Sequence, residues 1–153
     1  MAGFGGKYYN WMTKQLKTPS ESLIPPDGFV PISHTNPFGA SIGPIYEREE
    51  HGRFVRGLYV RPELTNSAGI AHGGVLMTFA DIVLARGVMQ EIGRSAVTVR
   101  MVSDFMAPVL VNAWLEGRAE VSRVTRSLVF VSGELTVKGK PVFTAQGTFK
   151  PLK

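Results

Sequence analysis

The clearest feature of the chain is a change in hydrophobic period. Between Gly73 and Ile92, apolar residues fall at Val75, Leu76, Phe79, Ile82, Val83, Leu84, Val88 and Met89. That spacing predicts a helix with a broad apolar face, buried on most sides. Gly69, Gly73 and Gly74 stand just before it, and Gly93 stands where a C-terminal cap belongs. At ~1.5 Å per residue the segment makes a helix of about 30 Å.

On either side the period drops to two. Ile42 to Arg48 and Phe54 to Val60 read as strands joined by a turn at Glu49-Glu50-His51-Gly52, a hairpin. After the helix, Val97 to Phe105 alternates, with Val97, Val99, Met101 and Phe105 opposed to Thr98, Arg100 and Asp104. Ala113 to Val124 alternates too, and Ser127 to Val137 leads through Lys138-Gly139-Lys140-Pro141 into Val142 to Phe149. The expected order is two strands, one long helix, then a meander of three or four strands. One antiparallel sheet, half exposed on one face and wrapped around one helix, is an α+β architecture. Residues 1–36 read as an N-terminal extension, with a short helix at Tyr8 to Met12 and a loop from Ser20 to Gly28, and 37–153 as the folded domain.

Composition narrows the function classes. With 153 residues, 44% hydrophobic and 19% charged, the chain suits one soluble domain. It has no cysteine, which excludes disulfides, thiolate metal sites and a cysteine nucleophile. The net charge of +5 suggests an anionic partner, but the basic residues are scattered singly and no nucleic-acid-binding motif is present. They suit a small polyanionic ligand or a solvated surface. No secretory signal is visible at the N-terminus. The most apolar stretch, Val75 to Met89, contains Asp81 and Arg86 and is too short for a membrane span, so a cytoplasmic location is expected.

Candidate chemistry gathers at the helix start. Asp81 lies eight residues inside the helix, between Phe79-Ala80 and Ile82-Val83-Leu84. A carboxylate buried there without a partner costs several kcal/mol, so it is either paired, solvated on a partly open stripe, or facing a cavity. Gly73 and Gly74 let a ligand approach unpaired backbone N–H groups, which can stabilise an oxyanion; they also suit plain helix initiation. His72 is a capping or site residue, and Asn66 a turn residue or an orienting amide. Together they supply an orienter, an oxyanion donor and a base or nucleophile. Gly73 and Asp81 are about 12 Å apart along one helix, however. If both act on one carbonyl, they come from two subunits.

Asn66-x-x-Gly69-x-x-His72-Gly73-Gly74 followed by Asp81 resembles the signature of the PaaI-type hotdog-fold acyl-CoA thioesterases. The similarity spans roughly residues 37 to 150 and includes Val97-Thr98-Val99 and Phe105-Met106-Ala107-Pro108. It implies the hotdog fold, an antiparallel sheet wrapped around a long central helix, in homodimers or homotetramers. It also implies Asp81 as general base or nucleophile and the Gly73 N–H as oxyanion donor from the opposite subunit. Asn66 and His72 would shape the donor half, and Thr98 would position water near the acid. The substrate would be an acyl-CoA, with coenzyme A part of the substrate and no cofactor required.

The rest of the sequence is compatible with that chemistry. Of His34, His51 and His72, no two have metal-ligand spacing, and there is no Gly-x-Ser-x-Gly elbow. Met77, Phe79, Phe105, Met106 and Trp114 can line an acyl pocket or pack the core. Two alternatives belong to the same fold: a non-catalytic acyl-CoA binding protein, and an enoyl-acyl hydratase or dehydratase.

Overall fold

Among the described residues, seven antiparallel strands form one sheet in the order β1-β2-β3-β5-β6-β7-β4, laid against one long helix. The computed structural model describes residues 23–33 and 36–153. The strands are β1 (Val30–Pro31), β2 (Ile45–Glu50), β3 (Arg53–Tyr59), β4 (Ala96–Phe105), β5 (Trp114–Val124), β6 (Val129–Val137) and β7 (Lys140–Pro151). The helices are α1 (Pro37–Ile42) and α2 (Gly73–Ile92), with a 3-10 turn at Pro62–Leu64. This is the expected α+β, hotdog arrangement. The segment Tyr8 to Met12 and His34 lie outside the described residues.

Helix α2 has the expected bounds, and Gly93 caps it in the left-handed conformation at φ 67°. Its burial differs from the expectation of a helix enclosed on most sides. Leu76, Phe79, Ala80, Val83, Leu84 and Val88 are buried, a single stripe at i, i+3, i+4 spacing against the sheet. The opposite flank is open, with Met77 and Met89 exposed. Asp81 lies on the partly exposed flank, not within the core.

Both hairpins form, and each turn has two consecutive residues at positive φ: His51-Gly52 at 51° and 75°, Lys138-Gly139 at 51° and 74°. That is the turn whose twist matches the flanking strands. β5, β6 and β7 make a meander, whereas β4 crosses to pair with β7 at the far edge. Strict alternation along β4 does not hold. A register shift between Thr98 and Arg100 leaves Val99 extra, so Thr98, opposite Phe149, and Met101, opposite Gly147, share the helix-facing side. Before Ile45 the chain is helical, not extended. Asn36 accepts the Gly39 N–H at 2.6 Å and Pro37 opens α1, a local start signal that overrides the apolar run.

Between helix and sheet, Glu47 of β2 is held by Arg86 of α2 at 2.8 and 3.2 Å and by Arg56 of β3 at 3.1 Å. Burial alone raises the Glu47 pKa; the hydrogen bonds from Arg86 and Arg56 outweigh it and hold the carboxyl below its usual range. Arg86 also stacks on Phe54, 3.7 Å from the ring centroid.

The far face of the sheet carries its own aromatic cluster. Gly117 faces the helix, because a Cβ there would meet Val83; Gly57, opposite Glu116, therefore faces away. The Trp114 indole lies over Gly57, with Phe29, Tyr46 and Tyr59 around it at centroid distances of 4.9, 5.6 and 4.7 Å. A methyl at Gly57 would overlap the indole. Gly57→Ala is expected to cost about 1–3 kcal/mol, read as a lower urea midpoint at unchanged slope.

Candidate active site

The residues singled out in the sequence fall into two groups, and the helix start explains the first. Asn66 opens a tight turn: its carbonyl accepts from Gly69 N–H at 2.9 Å and its side-chain oxygen from Ala68 N–H at 2.9 Å. Gly69 sits at φ 72°, which a glycine takes without strain. The turn delivers His72 to the N-cap of α2, where its Nδ1 accepts the Gly74 N–H at 3.0 Å and its carbonyl accepts from Val75. Among the described residues, the Gly73 N–H has no such acceptor.

Gly73 and Asn66 share a hollow of about 420 Å³ with Ile70, Phe105, Met106 and Pro108. The ring of Phe105 closes on Gly73 so tightly that a Cβ there would lie 3.2 Å from it. Phe105 itself stacks edge-on against buried Phe143 at 4.9 Å.

Asp81 belongs to the second group, two turns further along α2. It lines a separate hollow of about 270 Å³ with Asn36, Phe38, Met77, Thr78 and Ile82. Its Oδ1 accepts a hydrogen bond from the Thr98 hydroxyl at 2.6 Å. The β4 bulge makes this contact possible by turning Thr98 toward the helix. No salt bridge to Asp81 exists among the described residues. Thus Asp81 and Thr98 are brought together, as are Asn66, His72 and Gly73, but Asp81 lines one hollow of the chain and Asn66 and Gly73 line another.

Of the apolar candidates for an acyl pocket, Met77 lines the Asp81 hollow, and Phe105 and Met106 line the Gly73 hollow. Phe79 does not: it is fully buried in the core. Nor does Trp114, which is on the opposite face of the sheet. Sequence reading missed Asn36, Phe38 and Thr78. Asn36 immediately before Pro37 was the available signal, an N-cap pair that places Phe38 on a helix.

The edge strand β4 is ten residues long and exposes Val97, Val99, Val102 and Phe105. Among the described residues its outer edge has no partner. A long apolar edge of this kind is a template for pairing with another strand. No helix among the described residues is long and apolar enough to cross a membrane.

Comparison with known proteins places this arrangement. The sequence profile of the thioesterase superfamily matches residues 68–143, which include His72, Gly73, Asp81 and Thr98; Asn66 lies two residues before the match. A Pseudomonas aeruginosa protein named as an esterase is 32% identical over 127 residues, covering 81% of this chain and 95% of its own length. Human acyl-coenzyme A thioesterase 13 is 30% identical over 97 residues, 63% of this chain and 69% of its own. Among solved structures, a mutant of the phenylacetic acid degradation protein PaaI from Thermus thermophilus superposes with a TM-score of 0.69 at 27% identity, covering 76% of this chain and 100% of that one. A Bacillus halodurans protein solved with CoA superposes with a TM-score of 0.66 at 25% identity, covering 74% of this chain and 75% of that one. With its sheet wrapped on α2 and its sequence matched at this level, the chain belongs to the thioesterase superfamily, as a hydrolase with the hotdog fold.

Proposed function

We propose that this protein hydrolyses acyl-CoA thioesters at a site shared between two subunits, with the Asp81 carboxylate as general base or nucleophile. The observation that carries the reading is the hydrogen bond from Thr98 to Asp81, which engages Oδ1 of a carboxylate that lines an open hollow and has no salt bridge among the described residues. As a general base, Asp81 takes a proton from water whose oxygen attacks the thioester carbonyl; the C–S bond then breaks and the thiolate of CoA leaves with a proton. As a nucleophile, Asp81 attacks the carbonyl itself, expels the thiolate and forms an acyl anhydride that water cleaves. Either route calls on no cofactor, since CoA arrives and leaves with the substrate.

The Gly73 N–H supplies the oxyanion donor in this reading, with Asn66 and His72 fixing the turn that presents it. Because the Gly73 and Asp81 hollows are separate on one chain, the donor comes from the partner subunit. Pairing of two β4 edges, with their exposed Val97, Val99 and Phe105, supports such a homodimer, and a tetramer is compatible with it. The name of human acyl-coenzyme A thioesterase 13 and the CoA held by the Bacillus halodurans protein support CoA as the thiol. A cytoplasmic location goes with such a substrate.

Thiol release from a panel of short, long and aryl acyl-CoAs tests the reading. Turnover of at least one supports it, and no release from any overturns it. Hydration of crotonyl-CoA without thiol release would instead make the protein a hydratase. Within the site, Thr98→Val is expected to lower kcat by about tenfold with little change in KM, while Thr98→Ser keeps most of the rate.

A further inference from the structure

We propose that helix α1 is the selectivity wall of the Asp81 hollow and that Phe38 limits the size of the acyl group it accepts. This rests on the thioesterase reading but adds a residue and a substrate class to it.

Phe38 is 67% exposed although it sits on a short, firmly anchored helix. The anchors are the Asn36 cap, the buried Ile42 and the Gly43 N–H, which bonds the carbonyls of Gly39 and Ala40. Leaving most of a phenyl ring in water forgoes the stabilisation that its burial brings. Its neighbours across the hollow, Met77 and Ile82, are on the same open flank of α2 as Asp81. The ring therefore borders the space beside the carboxylate, where the acyl group of a thioester under attack at Asp81 would lie.

Each polar side chain of the hollow makes one hydrogen bond within the protein. Thr78 donates to the Gly74 carbonyl at 2.8 Å, the Asn36 side-chain oxygen accepts from Gly39, and Asp81 accepts from Thr98. Beside them the hollow offers an occupant the apolar side chains of Phe38, Met77 and Ile82. The part of an acyl group lying against those three side chains is hydrocarbon. Along α2 the hollow runs from Met77 to Ile82, five residues or about 7.5 Å, so a longer chain must pass α1 and meets the Phe38 ring.

The test is a ladder of saturated acyl-CoAs from acetyl to lauroyl, with kcat/KM measured for wild type, Phe38→Ala and Phe38→Trp. The same ladder of non-hydrolysable thioether analogues is run in parallel for Kd. Phe38→Ala is expected to move the long-to-short ratio toward long chains by about tenfold or more in both measurements, and Phe38→Trp to move it the other way. Unchanged ratios in an active enzyme overturn the inference and leave the thioesterase reading standing. If no acyl-CoA is hydrolysed, the thioesterase reading fails. The Kd ladder then decides alone: a shift by Phe38→Ala upholds Phe38 as the selectivity wall, and none overturns it.

Discussion

Replacing Asp81 by asparagine is expected to lower kcat on every acyl-CoA the protein hydrolyses by about 100-fold or more, with KM changed little. The substitution keeps the shape of the side chain and an oxygen that accepts the Thr98 hydroxyl hydrogen bond, 2.6 Å in the native protein. It removes the capacity to take a proton or to attack a carbonyl. The packing should survive, because Asp81 lies on the open flank of α2 and not in the buried stripe of Leu76, Phe79, Ala80, Val83, Leu84 and Val88. An unchanged thermal midpoint beside the lost rate separates chemistry from folding. The absence of cysteine helps, since the protein gives no background with a thiol-reactive dye. Wild-type turnover in the variant would show that a different group carries the reaction.

What could be read from the sequence, and what could not, follows from how local each signal is. Helix α2 was legible at both ends because its start glycines, its apolar period and its Gly93 cap lie within one continuous segment. The two hairpins were legible for the same reason: turn residues and flanking alternation are neighbours in the chain. The β4 bulge was not. A bulge is defined by the partner strand, here the step from Phe149 to Thr148 opposite Thr98 and Arg100, and strict alternation put Thr98 on the wrong side. Helix α1 was hidden because Ile42 joined the apolar run of β2, although Asn36-Pro37 signals a helix start. Trp114 illustrates a further limit. Its side of the sheet is set by the space above Gly57, a residue far away in sequence. In the site, residue types and spacings named Asp81, Gly73, Asn66 and His72, and the family resemblance added Thr98. The contacts that bring Thr98 to Asp81, and Phe38 to the same hollow, are tertiary and only the fold supplies them.

Mixing two inactive variants is expected to restore about a quarter of wild-type activity, provided one carries Asp81→Asn and the other a block of the donor half. Gly73→Val is such a block, because a Cβ there lies 3.2 Å from the Phe105 ring and the larger branched side chain intrudes on the shared hollow. The N–H stays in this variant, but blocking the approach of the thioester oxygen to it should cost about as much as losing an oxyanion donor, about 100-fold. In a homodimer whose sites each take Asp81 from one subunit and Gly73 from the other, a mixed dimer has one site with both defects and one with neither. Random pairing makes about half of the dimers mixed, each with one of two sites intact, and hence the expected quarter. Co-expressing the two chains with different tags, and purifying through both, isolates the mixed dimer; its activity should approach about half that of wild type. A site built within one chain gives no rescue, since every chain then carries a defect. Mixed dimers that form, as seen by native mass spectrometry, yet stay as inactive as their parents would therefore overturn the shared site, and so would a wild-type enzyme that is active as a monomer. Rescue at the expected level would leave the 12 Å between Gly73 and Asp81 on one helix as the reason the enzyme must be a dimer (about eight residues of α2 separate them).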